Sequence, residues 1–267
     1  MDYTSIPSQL IESITNEVTD GDITGVVLAG SYARGEANQF SDIDFAPFLR
    51  EDAPPRKKRL FYRDGYLVSI SCKMVAGVRA DLKLPHRAIW VVNGYKGARI
   101  LLDRDGAIHA LIREIEAFAW EPLQQAANEY AGASLAGSSE AVHKLLGYLA
   151  TGNDLAVALM STNLLWNLTD LVAVQRGIMV ESDRTYYRQV QEAVGLDSAW
   201  THYHNIASGV TPLQGEAPVT PARSRGIAVL TLYRETLELV EESIAPGHHE
   251  TAKQAVLILN EVLPPGD

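Results

Sequence analysis

Cysteine is almost missing from this chain of 267 residues, and long apolar runs are missing as well. The single cysteine, Cys72, cannot form an internal disulfide, which is typical of a protein from a reducing compartment. No segment approaches the roughly 20 apolar residues that a membrane-spanning helix needs, and residues 1–5 lack the basic and then apolar pattern of a signal peptide. We therefore predict a cytoplasmic protein.

Positive charge is also scarce. The 33 acidic residues outnumber the 23 lysines and arginines, so that the formal net charge is −10. Such a surface disfavours a non-specific grip on nucleic acid and suits a cationic small molecule or a basic protein as partner. The local exception is the basic run at 56–59, which is either a solvated loop or a lip that attracts nucleotide phosphates.

The apolar pattern divides the chain into two halves. Residues 1–105 mix short apolar strands with turns, whereas residues 106–267 have the spacing of amphipathic helices. Hydrophobic residues make up 46% of the chain, as in soluble globular proteins. We predict an α+β protein with a sheet domain at 1–105 and a C-terminal helical domain at 106–267.

The pattern also predicts individual elements. In the first half it predicts a helix at 8–19, a hairpin turn at Asp64-Gly65 and strands at 24–29, 43–46, 66–72, 89–92 and 99–102. In the second half the predicted helices begin at 107 and continue at 121–135, 138–150, 153–176, 183–194, 222–244 and 248–262. Three glycines fall where helix C-caps are expected: Gly152, Gly177 and Gly195. The stretch 211–221, with three prolines, predicts a loop.

The stretch from Gly30 to Phe45 is the most informative part of the chain. A strand-like run ends at Gly30 and Ser31, where a helix can begin, and backbone N–H groups at such a turn suit an anionic oxygen. Asp42 and Asp44 lie two residues apart in the next predicted strand, so their side chains project from the same face. Two such carboxylates repel each other unless a cation lies between them. A Mg²⁺ ion completed by phosphate oxygens and water fits this arrangement.

This stretch resembles the signature of the nucleotidyltransferase superfamily with the polymerase-β-like fold, which is Gly-Ser, then a helix, then Asp-x-Asp. The matching residues read G-S-Y-A-R-G-E-A-N-Q-F-S-D-I-D-F. The chain is most similar to small bacterial members, which include aminoglycoside- and lincosamide-modifying enzymes and antitoxin-type proteins. The resemblance implies a mixed sheet flanked by helices and followed by a helical bundle. It also implies that Gly30 and Ser31 hold a triphosphate and that Asp42 and Asp44 bind Mg²⁺, with Mn²⁺ as a second choice.

One residue of the family pattern is missing. Active members carry a third carboxylate on the next strand, where it completes a two-metal site and helps to deprotonate the acceptor hydroxyl. In this chain the predicted strand at 66–72 carries Ser69 at that place. A neutral hydroxyl cannot serve as general base near pH 7. The resemblance to aminoglycoside-modifying members allows a base from the helical half instead. Candidates without a motif are Glu140, Asp154, Asp170 and Glu181.

Two basic residues are candidates for contacts with the triphosphate. Arg34 lies three residues after Ser31, so on a helix it returns to nearly the same face. It either contacts phosphate or pairs with Glu36 or Asp42. Lys144, on a predicted helix, is a candidate for the β- and γ-phosphates, and the alternative is an ordinary surface lysine.

A polar stripe recurs at helical spacing in the second half. It consists of Asn163, Trp166, Asn167 and Asp170, which place amide, indole and carboxylate groups on one helix face. The stripe either lines a pocket for the acceptor or the nucleobase, or packs against another helix.

We therefore predict a Mg²⁺-dependent enzyme that passes a nucleoside monophosphate from an NTP, with ATP as first choice, to a hydroxyl of a small molecule or protein. The alternative is a nucleotide-binding regulatory or antitoxin-like protein in which loss of the third acid has removed turnover. Release of pyrophosphate from NTP in the presence of candidate acceptors distinguishes the two.

Overall fold

The computed structural model describes residues 5–212 and 220–263, so most of the loop predicted at 211–221 lies outside the described residues. The chain forms two compact units. The first runs to Ala119 and includes the later segment Met179–Ser182, and the second comprises Trp120–Ile178 and the residues from Asp183 onward.

The first unit is built around a mixed six-stranded sheet. In chain order its elements are α1 (Ser8–Val18), β1 (Ile23–Ala29), α2 (Gly30–Arg34), β2 (Ile43–Leu49), β3 (Arg59–Arg63), β4 (Tyr66–Ile70), β5 (Lys73–Met74), α3 (Val75–Asp81), α4 (Pro85–Tyr95), β6 (Arg99–Asp103) and α5 (Ala107–Glu116). The strand order is β3-β4-β2-β1-β6, and β5 pairs with β2 outside this path. β2 is parallel to β4 and β5, whereas the pairs β1–β2, β1–β6 and β3–β4 are antiparallel.

Helices cover both faces of the two central strands, β1 and β2, and this explains their nearly unbroken apolar sequence. On one face, Ile14 of α1 belongs to a buried cluster with Phe45 of β2. On the other face, Phe48 of β2 belongs to a cluster with Val92 of α4 and Leu111 of α5. We placed the domain boundary after residue 105, but the structure groups α5 with the sheet because its apolar side packs there.

One predicted element of the first unit is wrong. Residues 89–92 were predicted as a strand but belong to helix α4. The helix begins at Pro85, a residue favoured in the first helical turn, and its buried residues Ala88, Ile89, Val92 and Tyr95 recur every three or four positions. A short apolar run does not by itself distinguish a strand from a buried helix.

The segment at 179–182 returns to the first unit after two helices of the second. The amide of Val180 donates to the carbonyl of Ile89 at 2.7 Å, and the Asn93 side chain donates to the carbonyl of Met179 at 2.9 Å. Val180 is only 2% exposed. Both contacts are made with α4, so this segment is part of the packing of the sheet unit.

The second unit is helical throughout its described residues. After a short 3₁₀ turn at Glu121–Leu123 it contains α6 (Gln124–Thr151), α7 (Asp154–Gln175), α8 (Tyr186–Val194), α9 (Ala199–Ser208), α10 (Pro221–Val240) and α11 (Pro246–Val262). Two helices were predicted within α6, which is continuous because Leu135, Ser138 and Val142 bury one face across the expected break. Helix α9, rich in polar residues, was not predicted.

Helix α7 is the most apolar helix in the described part of the chain. By length and composition it could cross a membrane, but 56% of its most apolar window is buried inside the protein. A core helix of a soluble bundle has the same pattern. The cytoplasmic location stays a prediction.

A buried polar network joins three helices of this unit. The Gln191 amide donates to Nδ1 of His204 at 3.0 Å, and Nε2 of His204 lies 3.1 Å from the hydroxyl of Thr169. That hydroxyl itself donates to the carbonyl of Leu165. The imidazole is therefore neutral with its proton on Nε2, and burial lowers the pKa of His204 to about 4.

Candidate active site

The two aspartates of the motif lie at the start of the central strand β2. Asp42 directly precedes the strand, and Asp44 is its second residue. Asp44 pairs with Ala29 of β1 on one side and with Ser69 of β4 on the other. Residues directly opposite each other in adjacent strands share a face, so Ser69 occupies the position predicted for the missing third acid.

Gly30 brings the turn after β1 against the Asp44 carboxylate. A Cβ atom at this position would lie 2.6 Å from Oδ2 of Asp44, and the backbone has φ = +71°. Both facts require glycine, because only glycine lacks the Cβ and adopts this conformation without strain. The glycine of the motif therefore allows the Gly30–Ser31 turn to pack directly against the Asp44 carboxylate of β2.

The surroundings of Asp44 disfavour its charged form. Burial raises the pKa of this carboxyl most, and the negative charge of Asp42 raises it further. A hydrogen bond from the Ser69 hydroxyl and the positive charges of Lys58 and Arg34 oppose this shift of the pKa. A cation bound between the two carboxylates would relieve the repulsion.

The donor set fits a single hard divalent ion. Within residues 5–212 and 220–263 the structure has no cluster of three or more His, Cys, Asp or Glu side chains suited to a metal. Two adjacent carboxylates remain, and Mg²⁺ is commonly held by one or two carboxylates while phosphate oxygens and waters complete its octahedron. Asp42 and Asp44 would hold such an ion, and the triphosphate would have to supply further ligands.

The two predicted basic contacts both have acidic neighbours. Nε of Arg34 lies 2.9 Å from Oε2 of Glu36, so the structure shows the pairing with Glu36 that we considered beside a phosphate contact. In the helical unit, Nζ of Lys144 lies 2.6 Å from Oε1 of Glu140, four residues earlier on α6. Such exposed pairs contribute little to stability, and they leave both cations able to exchange partners.

A polar cavity of about 370 Å³ lies between α6 and α7 of the helical unit. It brings together five residues that the sequence singled out separately, which are Glu140, Lys144, Asn163, Asn167 and Asp170. Trp166, from the same predicted stripe, instead places its ring 5.6 Å from that of Tyr187. Asp154 is exposed in the first turn of α7, and Glu181 lies in the segment grouped with the sheet unit.

One end of this cavity is a carboxylate held by a phenol. The Tyr130 hydroxyl donates to Oδ2 of Asp170 at 2.7 Å. Burial and the adjacent Asp170 raise the pKa of Tyr130 to about 12, so the phenol keeps its proton. Sequence reasoning missed Tyr130, because splitting α6 into two helices obscured the i, i+4 spacing that places Tyr130, Ser134 and Ser138 on one face.

Comparison with known families supports the class that the motif and the fold indicate. Residues 9–88 match a family model described as a nucleotidyltransferase domain. Residues 9–88 therefore match a nucleotidyltransferase domain, and the predicted superfamily is confirmed on this part of the chain.

A solved structure supports the fold as well. A nucleotidyltransferase-like protein from Exiguobacterium sibiricum is 12% identical to this chain, with a TM-score of 0.52 over 95% of this chain and 78% of that one. At this identity the likeness concerns the fold, and it confirms the predicted mixed sheet followed by a helical region. No curated protein matches the sequence.

Proposed function

We propose that the protein passes a nucleoside monophosphate from an NTP, with ATP as the first candidate, to a hydroxyl group, and that it needs Mg²⁺ to do so. The observation that carries this proposal is the contact of Gly30 with Asp44, because it joins a turn suited to phosphate with carboxylates suited to a metal. The nucleotidyltransferase domain at 9–88 supports the general reaction.

Each residue of the site has a proposed role. Backbone N–H groups at Gly30 and Ser31 and the Ser31 hydroxyl would bind oxygens of the triphosphate. Asp42 and Asp44 would hold Mg²⁺, which when bound supplies charge neutralisation for the phosphate oxygens. Ser69 donates a hydrogen bond to Asp44 and would keep that carboxyl oriented toward the metal. Positioning and electrostatic stabilisation are the main contributions of a protein to this class of transfer.

The cavity of the helical unit is the proposed acceptor site. It contains two carboxylates, those of Glu140 and Asp170, and one lysine, so its charge favours a cation. Its volume lies near the lower end of small-molecule pockets. Both properties support a cationic, hydroxyl-bearing small molecule over a protein as acceptor. Asp170 and Glu140 stay candidates for the general base.

Pyrophosphate release tests the proposal. The full-length protein is incubated with each NTP, Mg²⁺ and a panel of amine-bearing and neutral polyols, and pyrophosphate is measured. We expect release that depends on Mg²⁺ and on one acceptor class. An Asp42→Asn/Asp44→Asn protein that releases pyrophosphate as fast as the wild type would refute the assigned site.

A regulatory role is the second candidate, and Ser69 is the observation that favours it. A hydroxyl stands in register with Asp44 where active relatives of this superfamily are expected to carry an acid. Mg²⁺-dependent binding of NTP without pyrophosphate release, under conditions where acceptors are present, would favour this function over the first.

A further inference from the structure

The basic run at 56–59 contains two kinds of residue. Arg56 lies 2.7 Å from Asp20 and 3.1 Å from Asp22, and Arg59 lies 2.6 Å from Glu17. Lys57 and Lys58 are exposed, and neither forms an ion pair with any residue in the described ranges. Arg56 and Arg59 therefore form ion pairs within the protein, whereas Lys57 and Lys58 are available to a ligand.

Strand register distinguishes the two lysines. Leu60 of β3 pairs with Ser69, and Ser69 pairs with Asp44, so these three residues share one face of the sheet. β3 begins at Arg59, so Lys57 and Lys58 directly precede it. Continuing the alternation of the strand to these two residues assigns Lys58 to the face of Leu60, and Lys57 to the opposite face with Arg59.

One ion pair supports this assignment of faces. Arg59, the residue that follows Lys58, reaches Glu17 of α1, the helix that covers the face opposite Asp44. Lys58 is therefore a cation without an ion-pair partner among the described residues, on the face of the sheet that carries the proposed metal site.

We propose that Lys58 binds the triphosphate of the NTP, neutralising the phosphate oxygens that the metal ion does not reach. This inference rests on the proposed function. A lysine ammonium binds phosphate as a flexible point charge, and Lys58 needs to break no ion pair with a described residue in order to do so. Arg56 and Arg59, by contrast, would each have to leave a carboxylate.

The test compares Lys58→Gln with Lys57→Gln, which removes the same charge one residue away on the opposite face. Affinities of the full-length proteins for ATP with Mg²⁺, and for AMP, are measured by calorimetry. We expect Lys58→Gln to weaken ATP binding about tenfold, in line with a hydrogen bond to a charged group, and to leave AMP binding within about twofold. Lys57→Gln should leave both affinities within about twofold, and Lys58→Arg should keep most of the ATP affinity.

Titration with Mg²⁺ alone excludes an indirect effect through the metal. Removing a positive charge near Asp44 should leave Mg²⁺ affinity unchanged or increase it, so weaker ATP binding by Lys58→Gln would come from the lost phosphate contact.

Equal losses of ATP affinity in the two glutamine variants would overturn the inference, because charge alone would then explain them. A wild-type protein that does not bind ATP would overturn the proposed function as well, whereas unchanged ATP binding by Lys58→Gln overturns only this inference.

Discussion

Asp44 in the sheet unit and His204 in the helical unit are both buried side chains whose charged forms are disfavoured, and the two respond to acid in opposite directions. Burial and Asp42 raise the pKa of Asp44, so protonation stabilises the sheet unit. Burial lowers the pKa of His204, so protonation destabilises the helical unit. The difference separates a structural group from a candidate binding group. His204 already has its hydrogen-bond partners, whereas Asp44 is repelled by Asp42, and a bound cation would relieve that repulsion.

The largest expected effect comes from removing the carboxylates. Asp42→Asn/Asp44→Asn should abolish Mg²⁺-dependent binding of ATP, because the described residues contain no group of three or more His, Cys, Asp or Glu side chains that could hold the metal instead. Calorimetry with and without Mg²⁺ measures this. Asp52→Asn/Asp64→Asn, at two surface acids of the same unit, is the matched control.

The single substitution Asp44→Asn tests the repulsion between the two carboxylates through the stability of the metal-free protein. A carboxyl with a raised folded-state pKa contributes stability below its unfolded pKa and loses it as pH rises through the folded pKa. Asp44→Asn should therefore raise the melting temperature of the metal-free protein near neutral pH, and the gain should disappear in acid. A lower melting temperature at pH 7 would contradict the assigned repulsion.

The next effect concerns His204. Its folded pKa is about 4, against an ordinary value of 6.5, so its contribution to stability is present above pH 6.5 and is lost as pH falls toward 4. The free energy of unfolding of the wild type, minus that of His204→Gln, should shrink by roughly 3 kcal/mol between pH 7 and pH 4. Denaturant unfolding at several pH values measures this difference.

Gly30→Ala should have a somewhat smaller effect, and it tests whether the turn and the carboxylate act together. The new methyl group would meet Oδ2 of Asp44, and the backbone would also be strained at positive φ. We expect a loss of about 2 kcal/mol in the stability of the sheet unit together with weaker ATP binding.

Gly35→Ala is the matched control for that substitution. It has nearly the same φ of +73°, but nothing lies within 4 Å of an added Cβ. It should therefore show only the cost of strain, about 1 kcal/mol, and normal ATP affinity. Identical behaviour of the two variants would show that the contact with Asp44 does not matter.

Ser69→Glu should have the smallest effect. Its carboxylate would lie on the face of Asp44 and could provide the ligand that the site lacks. We expect Mg²⁺ affinity to rise several-fold, at some cost in stability because Ser69 is 1% exposed. Ser69→Gln has a similar size without the charge and should not raise Mg²⁺ affinity. A folded Ser69→Glu protein with unchanged affinity would mean that the carboxylate does not reach the metal.

The sequence allowed the sheet part of the site to be predicted further than the helical part. Strand alternation put Ser69 on the face expected for the third acid, and the register of β4 against β2 places it beside Asp44. The approach of Gly30 to Asp44 could not be predicted, because it depends on the pairing of β1 with β2. The cavity lining was only partly predicted, because the packing of α6 on α7 decides which polar residues of two helices meet. The roles of these residues stay predictions.

The return of residues 179–182 to the sheet unit has a consequence for synthesis on the ribosome. The surface of α4 that receives Val180 is made early, but its partner leaves the ribosome only after α6 and α7. At about 5–20 residues per second, the nascent sheet unit waits several seconds with this apolar surface uncovered. Completion of the nucleotidyltransferase domain is therefore coupled to translation of the helical half, and a chain that stops at Ala119 would lack the segment that closes the first unit.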